Sequence, residues 1–258
     1  WSQVASDNVQ FAMLATRFRG NVDPFFAMNA ANASQAGLRL GAYIYSYATS
    51  VEMAQQEADF VLNLIKDYPI SFPVVFDAED ANTLGTLTQS QVSDVINAFC
   101  KRIQDAGYYP MVYANEYWIA NKIDMSKISY DIWVAKYQQK YTYSKTSMWQ
   151  ASNTGSVKGV NGNVDIDYLY KDYTQIIPGN TWRTIAGNRY YYQNHVMQKA
   201  AWINDGQNWY YMNAAGNPSK GWLELSGKKY YLEADGHMIT GWKTLDGGWR
   251  YFDASGEQ

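Results

Sequence analysis

An α/β sheet or barrel followed by a stack of β-hairpins is the fold class this sequence predicts, and three observations predict it. Short β-rich runs alternate with helical stretches over residues 1–177. Two of those runs, PVVF and GAYIY, are apolar on both faces, as strands of a buried parallel sheet are. Further on, a tryptophan recurs every 20 residues, at Trp182, Trp202, Trp222 and Trp242.

The elements follow in chain order. Strands are predicted over 11–16, 40–45, 72–76, 109–113, 132–135, 147–149 and 163–166. Asp23-Pro24 predicts a helix over 23–36, with Asp as N-cap and Pro at the first helical position. Residues 52–66 carry apolar side chains at helical spacing. Thr88-Gln89-Ser90-Gln91 is compatible with a capping box that opens a helix over 88–106, stopping before Gly107. In the repeats, tyrosine-rich pairs follow each tryptophan by eight and nine residues: Tyr190-Tyr191, Tyr210-Tyr211, Tyr230-Tyr231 and Arg250-Tyr251. Gly216, Gly236 and Gly256 keep the same period. A Gly-centred turn between two short aromatic runs, as in GWLELSGKKYYLEADGHMIT, is a hairpin signature. One such hairpin cannot bury its own face, so the units are expected to stack into a solenoid. The boundary falls at Pro178-Gly179-Asn180, which divides the chain into domains 1–177 and 178–258.

Composition removes several classes of function. Acids outnumber bases 24 to 21, so the chain lacks the basic balance of a nucleic-acid binder. No apolar run is long enough for a transmembrane helix, and no signal peptide is visible in WSQVASDNVQ. Cys100 alone supports neither a disulfide framework nor a multi-cysteine zinc site, and its place in an apolar-periodic stretch makes it a buried small hydrophobe. The two histidines, His195 and His237, both lie in the repeats. Acid–base chemistry within the first domain therefore falls to carboxylates, tyrosines or lysines, and no histidine metal site can form there. Aromatic residues make up 16% of the chain, 23 of them tyrosine, which suits stacking against sugars or cations.

The sharpest chemical feature is Pro73-Val74-Val75-Phe76-Asp77-Ala78-Glu79-Asp80, in which three acids leave a buried-type strand. Strand alternation points Asp77 and Glu79 to one side, at the end of the sheet where α/β barrels keep their active sites. Two neighbouring carboxylates raise each other's pKa, which helps one stay protonated as a general acid. A second acidic stretch, Gly162-Asn163-Val164-Asp165-Ile166-Asp167-Tyr168, ends the last predicted strand. Tyr43, Tyr45, Tyr47, Tyr113, Asn115, Trp133, Trp149 and Gln150 fall at other strand ends, where aromatic faces stack sugars and amides read hydroxyls. Arg17, closing the first strand, is placed to pair with a carboxylate.

These stretches resemble glycoside hydrolase family 25, the lysozyme-type N-acetylmuramidases. The residues that carry the resemblance are DPFFAMNAANASQAGLRLGAYIYSYA, PVVFDAED, GYYPMVYANEYW, DIWVAKY, SMWQAS and GVNGNVDIDYLY, in the family's order over essentially the whole of 1–177. The resemblance implies a modified (β/α) barrel, lacking here the first strand of the type Gly-Ile-Asp-x-Ser. It also implies a hydrolase that cleaves the β-1,4 bond between N-acetylmuramic acid and N-acetylglucosamine in peptidoglycan, without cofactor or metal. Glu79 matches the family's catalytic acid, Asp77 the acid paired with it, and Asp165 the aspartate of the last strand. Tyr113, Trp149 and Gln150 fall on motif positions that line the groove, and Tyr45 and Trp133 join them as substrate-binding candidates.

The repeats resemble cell-wall-binding or choline-binding repeats, whose aromatic cages hold a quaternary ammonium by cation–π attraction. The wall-ligand candidates are Trp202, Trp209, Tyr211, Trp222, Tyr231, Trp242 and Trp249. The second cage position, seven residues after each repeat tryptophan, is Arg189, Trp209, Lys229 and Trp249, so only alternate units match. The expected partners are peptidoglycan and a choline-bearing or other wall polymer, with no nucleic acid and no membrane insertion. The implied location is secreted or wall-associated, or phage-encoded and released at lysis. Two other readings fit the same residues: a non-catalytic glycan-binding protein, and a glycosidase of another N-acetylhexosamine polymer.

Overall fold

A computed structural model describes residues 1–18, 20–137 and 139–258. The chain separates into two compact units, Trp1–Pro178 and Gly179–Gln258. Among the described residues no helix is long and apolar enough to cross a membrane.

The first unit opens with α1 (Ser2–Ala5), β1 (Phe11–Ala15) and a short ribbon of β2 (Arg17–Phe18) and β3 (Asn21–Val22). It continues through α2 (Phe26–Gln35), β4 (Arg39–Tyr45), α3 (Val51–Ile65), β5 (Ile70–Asp77), α4 (Gln89–Asp105), β6 (Pro110–Asn115) and α5 (Glu116–Asn121). It ends with β7 (Asp131–Ala135), β8 (Thr146–Gly155) and β9 (Val164–Leu169). Seven strands form one sheet in the order β1-β4-β5-β6-β7-β8-β9. All neighbours are parallel except β8 and β9, which pair antiparallel. The sheet is an open half-barrel: in the described ladders β1 pairs only with β4, and β9 only with β8. The last strand, β9, returns antiparallel along β8.

The helices start where local chemistry satisfies their first amides. The Ser50 hydroxyl accepts the Met53 N–H at 3.2 Å and opens α3. Thr88 and Gln91 close a complete capping box on α4. Thr88→Ala should therefore cost about 1 kcal/mol of stability. Denaturant unfolding checks this, with no change of m-value expected. Helix α2 begins later than Asp23-Pro24 predicts. The Asp23 carboxylate accepts the Phe25 N–H at 2.8 Å and caps a turn, and the helix follows from Phe26.

Alternation along the strands gives the sheet two different faces. All eight residues of β5 are buried. Phe76 faces outward onto Phe99 of α4, with ring centroids 5.2 Å apart. Val75 faces inward and joins Met111, Tyr113, Trp133, Ala135 and Met148 in the inner cluster. Tyr173 and Ile177, beyond β9, complete that cluster. Arg17 pairs with the buried Glu57 at 2.5 Å, and Cys100 is fully buried.

The second unit is a run of hairpins. In each, the repeat tryptophan faces a tyrosine across the strands: Trp182–Tyr191, Trp202–Tyr211, Trp222–Tyr231 and Trp242–Tyr251. Three hairpins turn through left-handed pairs, Ala186-Gly187, Ser226-Gly227 and Asp246-Gly247, as tight two-residue turns require. Backbone bonds tie one unit to the next, for example Met238 N–H to Trp209 O at 2.7 Å and Gln258 N–H to Lys229 O at 2.9 Å. Gly256 has φ of +80°, and a Cβ there would lie 2.3 Å from the Met238 sulfur, so the periodic glycine answers both backbone and packing. This is the expected hairpin solenoid.

Candidate active site

The site is built on the inner face, at the carboxyl ends of the parallel strands. Register sets Tyr45, Asp77, Tyr113 and Trp133 side by side on four neighbouring strands, β4 to β7. One step further along, Ala135, Gln150 and Asp167 continue the row across β7, β8 and β9. Leu169 packs on the inner cluster, so the two-residue period of β9 carries Asp167 and Asp165 to the same face.

Asp77 ends β5 and is only 8% exposed. Its Oδ1 is buried without a hydrogen-bond partner among the described residues. Burial, and then the neighbouring charge of Glu79, hold its carboxyl well above the ordinary carboxylate range. Glu79 is half-buried, and its Oε1 accepts the Asn115 N–H at 2.6 Å. Burial raises the Glu79 carboxyl and the Asn115 bond opposes the rise. The pair thus keeps a proton at a pH where a solvated carboxylic acid has lost it. Asp80, the third acid of the run, is used by its own loop: Oδ1 accepts from the Thr83 N–H and hydroxyl, both at 2.8 Å, and from the Asn82 N–H at 3.0 Å.

The floor beside the pair is an aromatic and amide network. Tyr113 and Tyr137 both donate to the Gln150 side-chain oxygen, at 2.8 and 2.9 Å. Trp133 packs edge-on against Tyr113, centroids 4.7 Å apart, and its indole donates to Asp167 Oδ1 at 2.8 Å. Tyr45 donates to Asp80 Oδ2 at 3.3 Å. Burial and the charges of Asp77, Asp165, Asp23 and Asp167 push Tyr43 up to about 12, which places that phenol among the acids.

The structure therefore brings Asp77, Glu79, Tyr45, Tyr113, Trp133 and Gln150 together. Asp165 stands exposed at the rim. Trp149 is a correction. Its neighbours Met148 and Gln150 turn inward, so Trp149 points to the opposite face. There it packs on Tyr141 and Tyr168, at 5.5 and 5.6 Å, and donates to Lys136 O at 2.9 Å. It does not line the groove.

Sequence reasoning passed over Tyr137 and set Asp167 behind Asp165. Tyr137 lies in coil after β7, where no period points it inward. Asp167 shared the alternation signal, but its bond to Trp133 depends on the β7–β9 arrangement. Burial first, and then the Asp165 charge, raise Asp167 to about 7, against the Trp133 hydrogen bond. A folded-state pKa above the unfolded one makes stability fall as pH rises between the ordinary carboxylate range and about 7. Asp167→Asn keeps an acceptor for the indole. It is expected to raise the melting temperature at and above neutral pH and to flatten that decline. Thermal melts across the window check this.

In the second unit the candidate wall-ligand aromatics divide by exposure. Trp202 is half-buried between Tyr211 and Tyr230, at 5.4 and 5.0 Å. Tyr231 packs on Ile239, Leu245 and Phe252. Trp222, Trp209, Trp242 and Trp249 are 43%, 47%, 67% and 70% exposed. Trp222 and Trp242 still touch Tyr231 and Tyr251, at 5.3 and 5.2 Å.

The site is thus a carboxylate pair at the ends of parallel strands, in a domain without histidine, and it is followed in the chain by a solenoid of half-exposed aromatics. Residues 1–160 match the family model described as Glycosyl hydrolases family 25. The chain belongs to that family. Residues 219–258 match the Choline-binding repeat and residues 201–217 the Putative cell wall binding repeat. The uncharacterized protein YegX of Escherichia coli (strain K12) is 30% identical over 177 residues, covering 65% of this chain and 63% of that protein. The chain thus spans a little under two thirds of the length of that curated relative. Among solved structures, the CTP1L endolysin is 26% identical, with a TM-score of 0.54, over 65% of this chain and 59% of its own. The modular autolysin LytC of Streptococcus pneumoniae, 24% identical over 66% of this chain and 43% of its own, shares the fold with a TM-score of 0.59.

Proposed function

We propose that this chain is a cell-wall lytic enzyme that hydrolyses the β-1,4 bond between N-acetylmuramic acid and N-acetylglucosamine in peptidoglycan. Residues 1–177 carry the catalysis and residues 178–258 hold the enzyme at the wall through a choline-bearing or related polymer. The observation that carries the reading is the pair of buried Asp77 and half-buried Glu79 beside an aromatic and amide floor. The endolysin and autolysin among the similar structures support it.

In this reading Glu79 protonates the glycosidic oxygen as the bond breaks. Its place beyond the strand end leaves it accessible, while its raised pKa keeps it protonated. The unpaired Asp77 oxygen accepts the N–H of the substrate's 2-acetamido group and turns the acetamido oxygen towards the anomeric carbon. That oxygen serves as the internal nucleophile, in place of a second enzymic carboxylate. Tyr113, Tyr137 and Gln150 fix the floor on which the sugar rests, and Asp165 and Asp167 face the positive charge that develops on it. Activity should decline as pH rises through the raised Glu79 pKa, because the acid must enter the reaction protonated.

The test is to incubate the purified chain with peptidoglycan and identify new reducing ends by mass spectrometry. Muramic acid at those ends is expected. Glucosamine there would overturn the bond assignment, and wall retention with no new ends would make the chain a binding protein.

A further inference from the structure

The first repeat stacks an arginine on its own repeat tryptophan. Within each hairpin, the tryptophan, the residue seven positions on and the tyrosine nine positions on share one face, because cross-strand partners face together and the strand period is two. On the first hairpin these are Trp182, Arg189 and Tyr191; on the second, Trp202, Trp209 and Tyr211. The Arg189 guanidinium carbon lies 4.1 Å from the centroid of the Trp182 ring. Tyr191 and Tyr210 stand edge-on to the same indole at 5.1 and 4.9 Å. The indole N–H donates to Asp205 Oδ2 at 3.0 Å, which adds a negative charge beside the site. The Arg189 backbone is held on both sides, by the Thr184 register pair and by the Asn217 side chain donating to its carbonyl at 3.1 Å.

We infer that Arg189 fills the aromatic cage of the first repeat as a built-in cation, and that quaternary ammonium ligands enter only the cages where Trp209 and Trp249 stand in its place. The inference rests on the reading of the repeats as cation-binding units. A planar, weakly hydrated guanidinium stacked on an indole satisfies the attraction that a trimethylammonium would seek there. A second cation on the same face would meet both the occupied ring and a like charge. Trp209 and Trp249 instead extend exposed indoles from the same face, 47% and 70% accessible, with no charge of their own. The arginine is thus a specificity-determining residue: it converts one repeat from a ligand site into a structural unit.

The experiment follows the indole N–H resonances of the full chain during titration with choline chloride, each resonance assigned by its own Trp→Phe variant. In the wild type, Trp209 and Trp249 should shift in a saturable manner and Trp182 should stay still. In Arg189→Ala, Trp182 should acquire a saturable shift that the wild type lacks. Arg189→Lys, which keeps a cation beside the ring, should leave Trp182 silent. A Trp182 shift in the wild type overturns the inference without any variant, and so does an unresponsive Trp182 in folded Arg189→Ala. Silence of Trp209 and Trp249 with a responsive Trp182 in Arg189→Ala would overturn the assignment of ligand to those two cages and leave only the block by Arg189 standing. Silence of every indole in all three proteins would overturn both.

Discussion

Glu79→Gln is expected to lower peptidoglycan hydrolysis by about 10²–10⁴-fold, the range a positioned general acid contributes. The fold should not change. The glutamine oxygen still accepts the Asn115 N–H that Glu79 Oε1 accepts at 2.6 Å, and the side chain keeps its volume. What disappears is the proton that burial holds on the carboxyl. Reducing-end release should fall while the unfolding midpoint stays where it was. A fully active, folded Glu79→Gln protein would remove Glu79 from the chemistry and leave Asp77 as the only buried acid of the pair.

Asp77→Asn should move activity and stability in opposite directions. Activity should fall by roughly 10²–10³-fold, the order lost when one preorganised hydrogen-bonding group is taken from an active site. Stability at neutral pH should rise. The Asp77 carboxyl is raised in the folded protein by burial and by Glu79. The folded state therefore binds more protons than the unfolded chain above the unfolded pKa of 3.8, and stability declines as pH climbs from there. Asparagine carries no charge to desolvate, so the decline should weaken and the gain at neutral pH should be on the order of 1–3 kcal/mol. Paired activity assays and melts across pH read both effects. A variant that loses both activity and stability would show that Asp77 organises the strand end rather than the substrate.

Much of this site was legible before any coordinate. FDAED at the end of an apolar run places two carboxylates on one side, because alternation is a local property of extended backbone. The capping box at Thr88 and the left-handed glycine turns of the hairpins are local in the same sense. The misjudgements are not local. Trp149 and Gln150 are adjacent, so alternation guarantees that they face opposite ways, but the sequence does not say which one faces in. Met148 and the bond from Tyr113 decide it. Asp165 and Asp167 share a face, yet only the indole of Trp133, 34 residues earlier, draws Asp167 into the floor. Asp23 sits before a proline as an N-cap would, and its side chain instead closes the turn ahead of the helix.

The sequence by itself determined that the chain carries an α/β domain and an aromatic hairpin array, that acid–base chemistry in the first domain is carboxylate chemistry, and that four repeats differ at one position. These are matters of composition, period and residue type. The tertiary structure decided which carboxyls are buried, which face of β8 meets the groove, and that the sheet ends in an antiparallel return. It also decided that Arg189 lies on Trp182 rather than in solvent. Burial, charge proximity and ring stacking arise between residues far apart in the chain. Their energies depend on distances that only the folded backbone sets.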